Sequence, residues 1–453
     1  MITPLLRTSP ERAGLPSSAV REFLAQADGL GIHSLLLLRG GSVIVEANWA
    51  PYSADVPHVL HSLSKSFTST AVSFAIAEGL LTLDDTVVGF FPDRLPEVVS
   101  ENLAAMRVRD LLTMSCGHAD EPPRMFMQDD WPRAFLAHPV PHAAGTHFVY
   151  NSIATYMVAA ILARVTGEEL LGYLKPRLFD PIGIEGMSTS HCPEGVAHGG
   201  FGMRATVDAI ARFGQLYLQD GVWDGERVLP EGWVQVATCA HVSNGTDPES
   251  DWAQGYGFQF WRCRHGAYRG DGAFGQYCVV HPELDFVLAV TSGIYDMGAI
   301  LNAVWTHLLP HFGSANLTDS GGPVRYEGEL PPKGTAEIPD GLLGSYVSQD
   351  RDFGQLSLSQ SGSDLVVGLF DQPITAGASS WIDGVADVCG VGPLPVSARL
   401  VPGDGLEIQL LDLTSPMRID LGLRLTEDGL VLRYHPQFTF GGEPKEIQFT
   451  RQA

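Results

Sequence analysis

Apolar positions in the first three hundred residues fall mostly at helical spacing, interrupted by short runs that read as strands. Val20, Phe23, Leu24 and Ala27 share one side of residues 17–28, which predicts a helix. Two strands follow, Ser34 to Leu38 and Val43 to Ala47, joined through Arg39-Gly40-Gly41-Ser42, whose glycines suit the positive φ of a tight hairpin. The run Leu35 to Leu38 lacks alternation, so both of its faces are expected to be covered. In residues 61–79, Leu63, Phe67, Ala71 and Phe74 recur at helical spacing, with Ser and Thr between them and Gly79 as the stop. That helix has no polar face to turn toward water.

Residues 108–114, 153–165 and 207–219 predict further helices, and Thr166 with Glu169 reads as a capping box for another, ending near Lys175. The stretch 121–146, rich in Pro, His and aromatics, is read as irregular and as one wall of a cleft. Strands are expected at 256–262, 275–280 and 286–291, then an apolar helix at 299–309. Strands at both ends with helices between them predict an α+β unit over residues 1–312: an antiparallel sheet flanked by helices, plus a helical subdomain. Residues 313–337, rich in Gly, Pro and Ser, read as a linker. From 338 to 453 short alternating strands at 356–358, 365–369, 406–410, 430–434 and 447–450 are separated by turn signals, among them Pro402-Gly403-Asp404-Gly405. They predict a small all-β barrel.

Composition narrows the function. The 453 residues carry a formal net charge of −24, which argues against nucleic acid or an anionic membrane as partner. No run approaches the length of a membrane span, and residues 1–14 show no signal-peptide pattern. Six scattered cysteines without a C-x-x-C suggest free thiols in a reducing compartment, so a cytoplasmic location is expected. The histidine pairs lack metal-ligand spacing, and no cofactor or metal is expected.

The helix at 61–79 carries the chemistry. Ser62 and Lys65, three residues apart, share a helix face. A serine hydroxyl needs a neighbouring base to become nucleophilic, and a lysine whose pKa is lowered by burial can serve. Lysine occurs only at positions 65, 175, 333 and 445, so one inside the least polar helix stands out. Tyr150-Asn151-Ser152 enters a helix, where a partly deprotonated Tyr150 would relay a proton. Tyr268 to Gln276 is glycine-rich and precedes a strand, placing backbone N–H groups where half an oxyanion hole could form, with the N–H of Ser62 as the other half.

Ser62-Leu63-Ser64-Lys65 is an S-x-x-K motif, and its order with Tyr150 and the glycine-rich strand entry resembles the serine β-lactamase and penicillin-binding-protein-like hydrolases. That family includes class C β-lactamases, family VIII esterases, D-aminopeptidases and nylon-oligomer hydrolases. Residues 108–114, 145–150 and 208–218 also look like it, and the tail is similar to lipocalin-like barrels appended to some members. The resemblance implies a Ser62 acyl-enzyme, with Lys65 and Tyr150 as general base and acid. The oxyanion and substrate would be held among Ser62, Ser152, Gly270, Asp271, Gly272 and Ala273.

Two departures bear on substrate. Ser152 stands where the family's second motif usually has Asn, and Gly270-Asp271-Gly272 stands where the third usually carries Lys or His before Thr-Gly. Without that cation an anionic β-lactam is disfavoured, and a small ester, neutral amide or free-amine substrate is expected. Carboxylesterase, and amidase or D-aminopeptidase, remain open; the rival of another class is a catalytically silent scaffold. Homo-oligomerisation is left open.

Overall fold

A computed structural model describes residues 3–122, 128–330, 335–350, 353–369, 373–387, 393–403, 405–439 and 443–452. Part of the cleft-wall stretch (123–127), part of the 313–337 linker (331–334, with Lys333), Cys389 and Asp404 lie outside the described residues.

The central sheet is built from β1 (Leu6–Arg7), β2 (Ile32–Arg39), β3 (Ser42–Ala50), β4 (Trp261–Arg262), β5 (Tyr268–Gly272), β6 (Gln276–His281), β7 (Phe286–Ser292) and β8 (Val324–Glu329). Its order is β1-β3-β2-β7-β6-β5-β4, with β8 also on β3. The early hairpin and the late strands therefore share one sheet. The hairpin closes at Arg39 opposite Ser42, with Gly40 and Gly41 at φ 56° and 72°. Most neighbours run antiparallel; β1 and β8 lie parallel to β3 along its outer edge, making the sheet mixed.

Both faces of the sheet are covered, as the unalternating leucine run requires. Leu35 and Leu37 pack with Val20, Phe23 and Leu24 of α1 (Ser17–Ala27). Leu36 and Leu38 face the larger core that includes α2 (Ser64–Ala77), α3 (Ser152–Thr166) and α4 (Val207–Leu218). A closing α5 (Gly298–Ala303) runs into a wider turn, Val304–Leu308, on the α1 side.

Helix α2 explains its composition. Residues Ser64 to Ala75 are all buried, and their hydroxyls hold the loops that wrap them. Ser66 and Ser69 donate to the carbonyls of Gln259 and Phe258 at 2.9 and 2.7 Å, and Thr68 donates to Gly199 at 2.7 Å. Small hydroxyl residues are needed because the loops lie against the helix and present carbonyls that must be satisfied.

The C-terminal strands are β9 (Gly344–Val347), β10 (Gln355–Ser361), β11 (Asp364–Gly368), β12 (Ile374–Ala376), β13 (Ile382–Ala386), β14 (Leu394–Gly403), β15 (Gly405–Asp412), β16 (Arg418–Thr426), β17 (Gly429–Gln437) and β18 (Lys445–Arg451). They form an antiparallel sheet of ten, ordered β12-β11-β10-β9-β18-β17-β16-β15-β14-β13. Gly377, just beyond β12, bridges to β14 by donating to Ala398 O and accepting from Leu400 N–H, which nearly closes the barrel. Its interior is Leu356, Leu365, Ile408, Leu421, Leu432 and Phe449. The barrel rests on the first unit: Val59 N–H donates to Thr414 O at 2.7 Å, Tyr52 O–H to Ser415 O at 3.2 Å, and Leu411 and Leu413 join the α1 core.

Three expectations change. Residues 256–260 are not strand: Gln259 turns left-handed (φ 65°), and its buried amide bridges Thr155 with the carbonyls of Leu111 and Leu112. Glu169 alone caps its helix, while Thr166 Oγ1 donates back to Leu162 O. Within 313–337, Val324–Glu329 is strand β8, where Gly328 lets the Trp49 ring lie close. Among the described residues no helix is long and apolar enough to cross a membrane.

Thr68→Val keeps the volume but leaves the buried Gly199 carbonyl without its donor, so a loss of about 1–3 kcal/mol is expected in urea unfolding. An unchanged midpoint would show that this hydroxyl does not anchor the loop.

Candidate active site

Ser62 sits in a 3-10 turn, His61–Leu63, that runs straight into α2. His61 is left-handed (φ 46°) and the Ser64 hydroxyl donates to its carbonyl at 2.7 Å, fixing the turn on the helix end. One turn along, Lys65 is 1% exposed. Its ammonium has three donors and three acceptors: Ser62 Oγ at 2.9 Å, Ser152 Oγ at 3.2 Å and Gly200 O at 2.7 Å. Gly200 comes this close because it has no side chain, since a Cβ there would lie 2.5 Å from Ser152 O.

Burial pulls the Lys65 pKa from 10.5 to about 7, against the opposing pull of Glu121 and Asp271. A lysine poised there is neutral for much of the time at neutral pH.

Tyr150 lies beside the pair. Its ring is 4.8 Å from Lys65 Nζ and stacks on Trp261 at 5.3 Å, and its hydroxyl shares a hydrogen bond with Ser62. Burial pushes the phenol well above its ordinary pKa despite the Ser62 bond, so Tyr150 is a neutral phenol and not partly deprotonated. Asn151 caps α3, accepting from Ile153 and Ala154 N–H at 3.0 Å each, and this turns Ser152 toward Lys65. Ser152 thus supplies a hydroxyl to the lysine from the position where an Asn was expected.

The glycine-rich stretch forms β5 and the turn after it, against the Ser62 turn. At Gly270 a Cβ would lie 2.3 Å from Leu63, and at Gly272 it would lie 2.1 Å from Leu60 O. Ala273 is half-buried in the turn, where its carbonyl accepts from Gln276 Nε2 at 3.1 Å. Asp271 is buried and paired with Arg269, which donates at 2.8 Å. Desolvation raises the Asp271 pKa and Arg269 opposes it. Arg269 is itself fully buried, with Trp252 over its guanidinium at 4.6 Å, so it presents no cation to a substrate.

Two neighbours gave no sequence signal. Gly200 is a backbone contact from a distant loop, and Glu121 accepts from Ser152 N–H at 2.5 Å. Only the fold brings an exposed carboxylate from the irregular 121–146 stretch to the start of α3.

Residues 17–296 match the family model described as Beta-lactamase. The chain belongs to the beta-lactamase family of hydrolases. It is 26% identical over 284 residues to the 6-aminohexanoate-dimer hydrolase of Paenarthrobacter ureafaciens, covering 57% of this chain and 72% of that protein. Among solved structures, EstCE1, a hydrolase with promiscuous acyltransferase activity, overlays with a TM-score of 0.54 at 17% identity over 64% of this chain and 99% of that one. The octameric penicillin-binding protein homologue from Pyrococcus abyssi overlays with a TM-score of 0.51 at 15% identity, over 95% of this chain and 99% of that one.

The fluorophosphonate labelling rate of Ser62 is expected to fall about tenfold per pH unit below a midpoint near pH 7, as Lys65 becomes charged, and to level off above it. Glu121 favours the charged lysine, so Glu121→Gln moves that midpoint to lower pH. A pH-independent rate, or a midpoint that moves upward, would contradict this assignment.

Proposed function

We propose that the protein is a serine hydrolase that cleaves a small ester or amide through an acyl-enzyme on Ser62. The observation that carries this reading is the single hydrogen-bonded cluster of Ser62 Oγ, Lys65 Nζ, Ser152 Oγ and Gly200 O, around a lysine whose pKa lies near 7. When Lys65 is neutral, two of its protons are held by Ser152 and Gly200, and its lone pair is free to accept the Ser62 proton.

Ser62 Oγ attacks the carbonyl carbon as its proton passes to Lys65. The tetrahedral oxyanion lies against the N–H groups of Ser62 and Ala273. The bond to the leaving oxygen or nitrogen then breaks, and the leaving group takes a proton from Lys65 through the Tyr150 hydroxyl. Water then enters and attacks the acyl carbon as its proton passes by the same route to Lys65, which returns a proton to Ser62 Oγ as the acyl–oxygen bond breaks and the acid leaves.

Substrate charge follows from the surroundings. Arg269 is enclosed, and the carboxyl groups of Asp271 and Glu121 lie close enough to act on Lys65, which disfavours a carboxylate-bearing β-lactam and favours neutral or amine-bearing substrates. The similarity to the 6-aminohexanoate-dimer hydrolase supports an amide. A scaffold without turnover has no use for a lysine held in the interior at such desolvation cost.

The test is a panel of p-nitrophenyl esters, D- and L-aminoacyl p-nitroanilides, a 6-aminohexanoate dimer and a chromogenic cephalosporin. At least one ester or amide should turn over, and Ser62→Ala or Lys65→Ala should lower its kcat by about a thousandfold or more. Wild-type rates in either variant would overturn the mechanism, and fast cephalosporin hydrolysis would overturn the substrate class.

A further inference from the structure

Four rings form a continuous column from the barrel to the turn that holds Ser62. Phe438, just past β17, stacks on Tyr295 with centroids 4.5 Å apart and planes 21° apart. It meets Phe274 edge-on at 5.7 Å, Tyr295 meets Phe274 edge-on at 5.9 Å, and Phe274 meets His61 edge-on at 5.5 Å. Hydrogen bonds lock the outer end: Phe438 N–H donates to Tyr295 Oη at 2.8 Å, and Tyr295 O–H donates to Gln437 Oε1 at 3.3 Å.

His61, Phe274 and Phe438 all have left-handed backbones, with φ of 46°, 64° and 56°. Such conformations persist in residues other than glycine only where the surroundings over-determine them. Two of the three bracket the site: His61 directly precedes Ser62, and Phe274 directly follows Ala273. The Phe274 carbonyl accepts from Ser292 Oγ and Ile294 N–H at 2.7 and 3.1 Å, which anchors the inner side of that turn. Its outer side is held by the rings of Tyr295 and Phe438.

We propose that Phe438 is a positioning residue for the Ser62 site: with Tyr295 it clamps Phe274, and so holds the 273–275 turn and His61 in the geometry that presents the nucleophile. The barrel is then part of the catalytic apparatus without touching the reacting atoms. This rests on the reading of Ser62 as nucleophile. The clamp is separable from barrel docking as such, because Val59 with Thr414 and Tyr52 with Ser415 hold the barrel independently.

The experiment uses the full chain as wild type, Phe438→Ala, Phe438→Tyr and, as a control at an exposed barrel position, Val385→Ala. Hydrogen exchange by mass spectrometry is read on peptides covering 58–66 and 270–280, alongside fluorophosphonate labelling of Ser62 and p-nitrophenyl acetate kinetics. Phe438→Ala should speed exchange in both peptides and lower labelling and kcat by about tenfold to a hundredfold, with KM nearly unchanged. Phe438→Tyr keeps the stack and should restore all of these, and Val385→Ala should match wild type.

Unchanged exchange in the two peptides would overturn the clamp whatever the activity, and faster exchange with unchanged labelling would overturn its positioning role. If barrel peptides 406–411 and 430–434 also exchange faster, Phe438→Leu, which keeps bulk without the stack, replaces the alanine variant under the same criteria. Failure of wild type to label at Ser62 would defeat the nucleophile assignment alone, and the exchange data would still decide whether the clamp exists.

Discussion

A lysine held out of water sets the terms for the rest of the molecule. Moving an ammonium into the interior costs several kcal/mol unless its donors are met or it gives up its proton. Here both happen. Three oxygens from α2's leading turn, the start of α3 and a glycine loop converge on Lys65 Nζ, and burial brings its pKa to about 7. Each partner must come from a different part of the chain, so the packing of α2 between α3, the loop at 199–200 and β5 is what makes the residue chemically useful. The hydroxyls of Ser66, Thr68 and Ser69 serve that packing by tying surrounding loops to the helix.

Electrostatics around the lysine are balanced. Desolvation lowers its pKa, while Glu121 and Asp271 raise it. Asp271 is partly neutralised by a guanidinium that is itself sealed behind Trp252. Glu121 is the exposed member of the set, and it also caps the first N–H of α3, where a negative charge suits the helix dipole. The site thus has a carboxylate at its rim, and the buried Arg269 offers it no cation, consistent with a neutral or amine-bearing substrate.

Much of this was legible in the sequence because it rests on short-range pattern. The Leu35 to Leu38 run, the Gly40-Gly41 tip and the spacing of Leu63, Phe67, Ala71 and Phe74 specify local structure directly, and Ser62, Lys65 and Tyr150 lie at recognisable motif positions. What escaped depends on long-range approach. Gly200 contributes a backbone carbonyl, Glu121 a carboxylate from an irregular stretch, and Gln259 a left-handed turn inside an apparent strand. Val324–Glu329 was hidden for another reason: flanked by Gly and Pro, its alternation of Val and Tyr with Arg and Glu was too brief to read as a strand until β3 offered an edge. The state of Tyr150 was misjudged because nearness to a cation suggests a lowered pKa, whereas burial prevails.

The most direct measurement of the central claim is rapid-quench mass spectrometry of the intact protein during turnover of a reactive p-nitrophenyl ester, followed by peptide mapping. A single acyl adduct on Ser62, formed and consumed at rates that account for turnover, is the predicted result. Turnover with no adduct, or an adduct on any other residue, would contradict it.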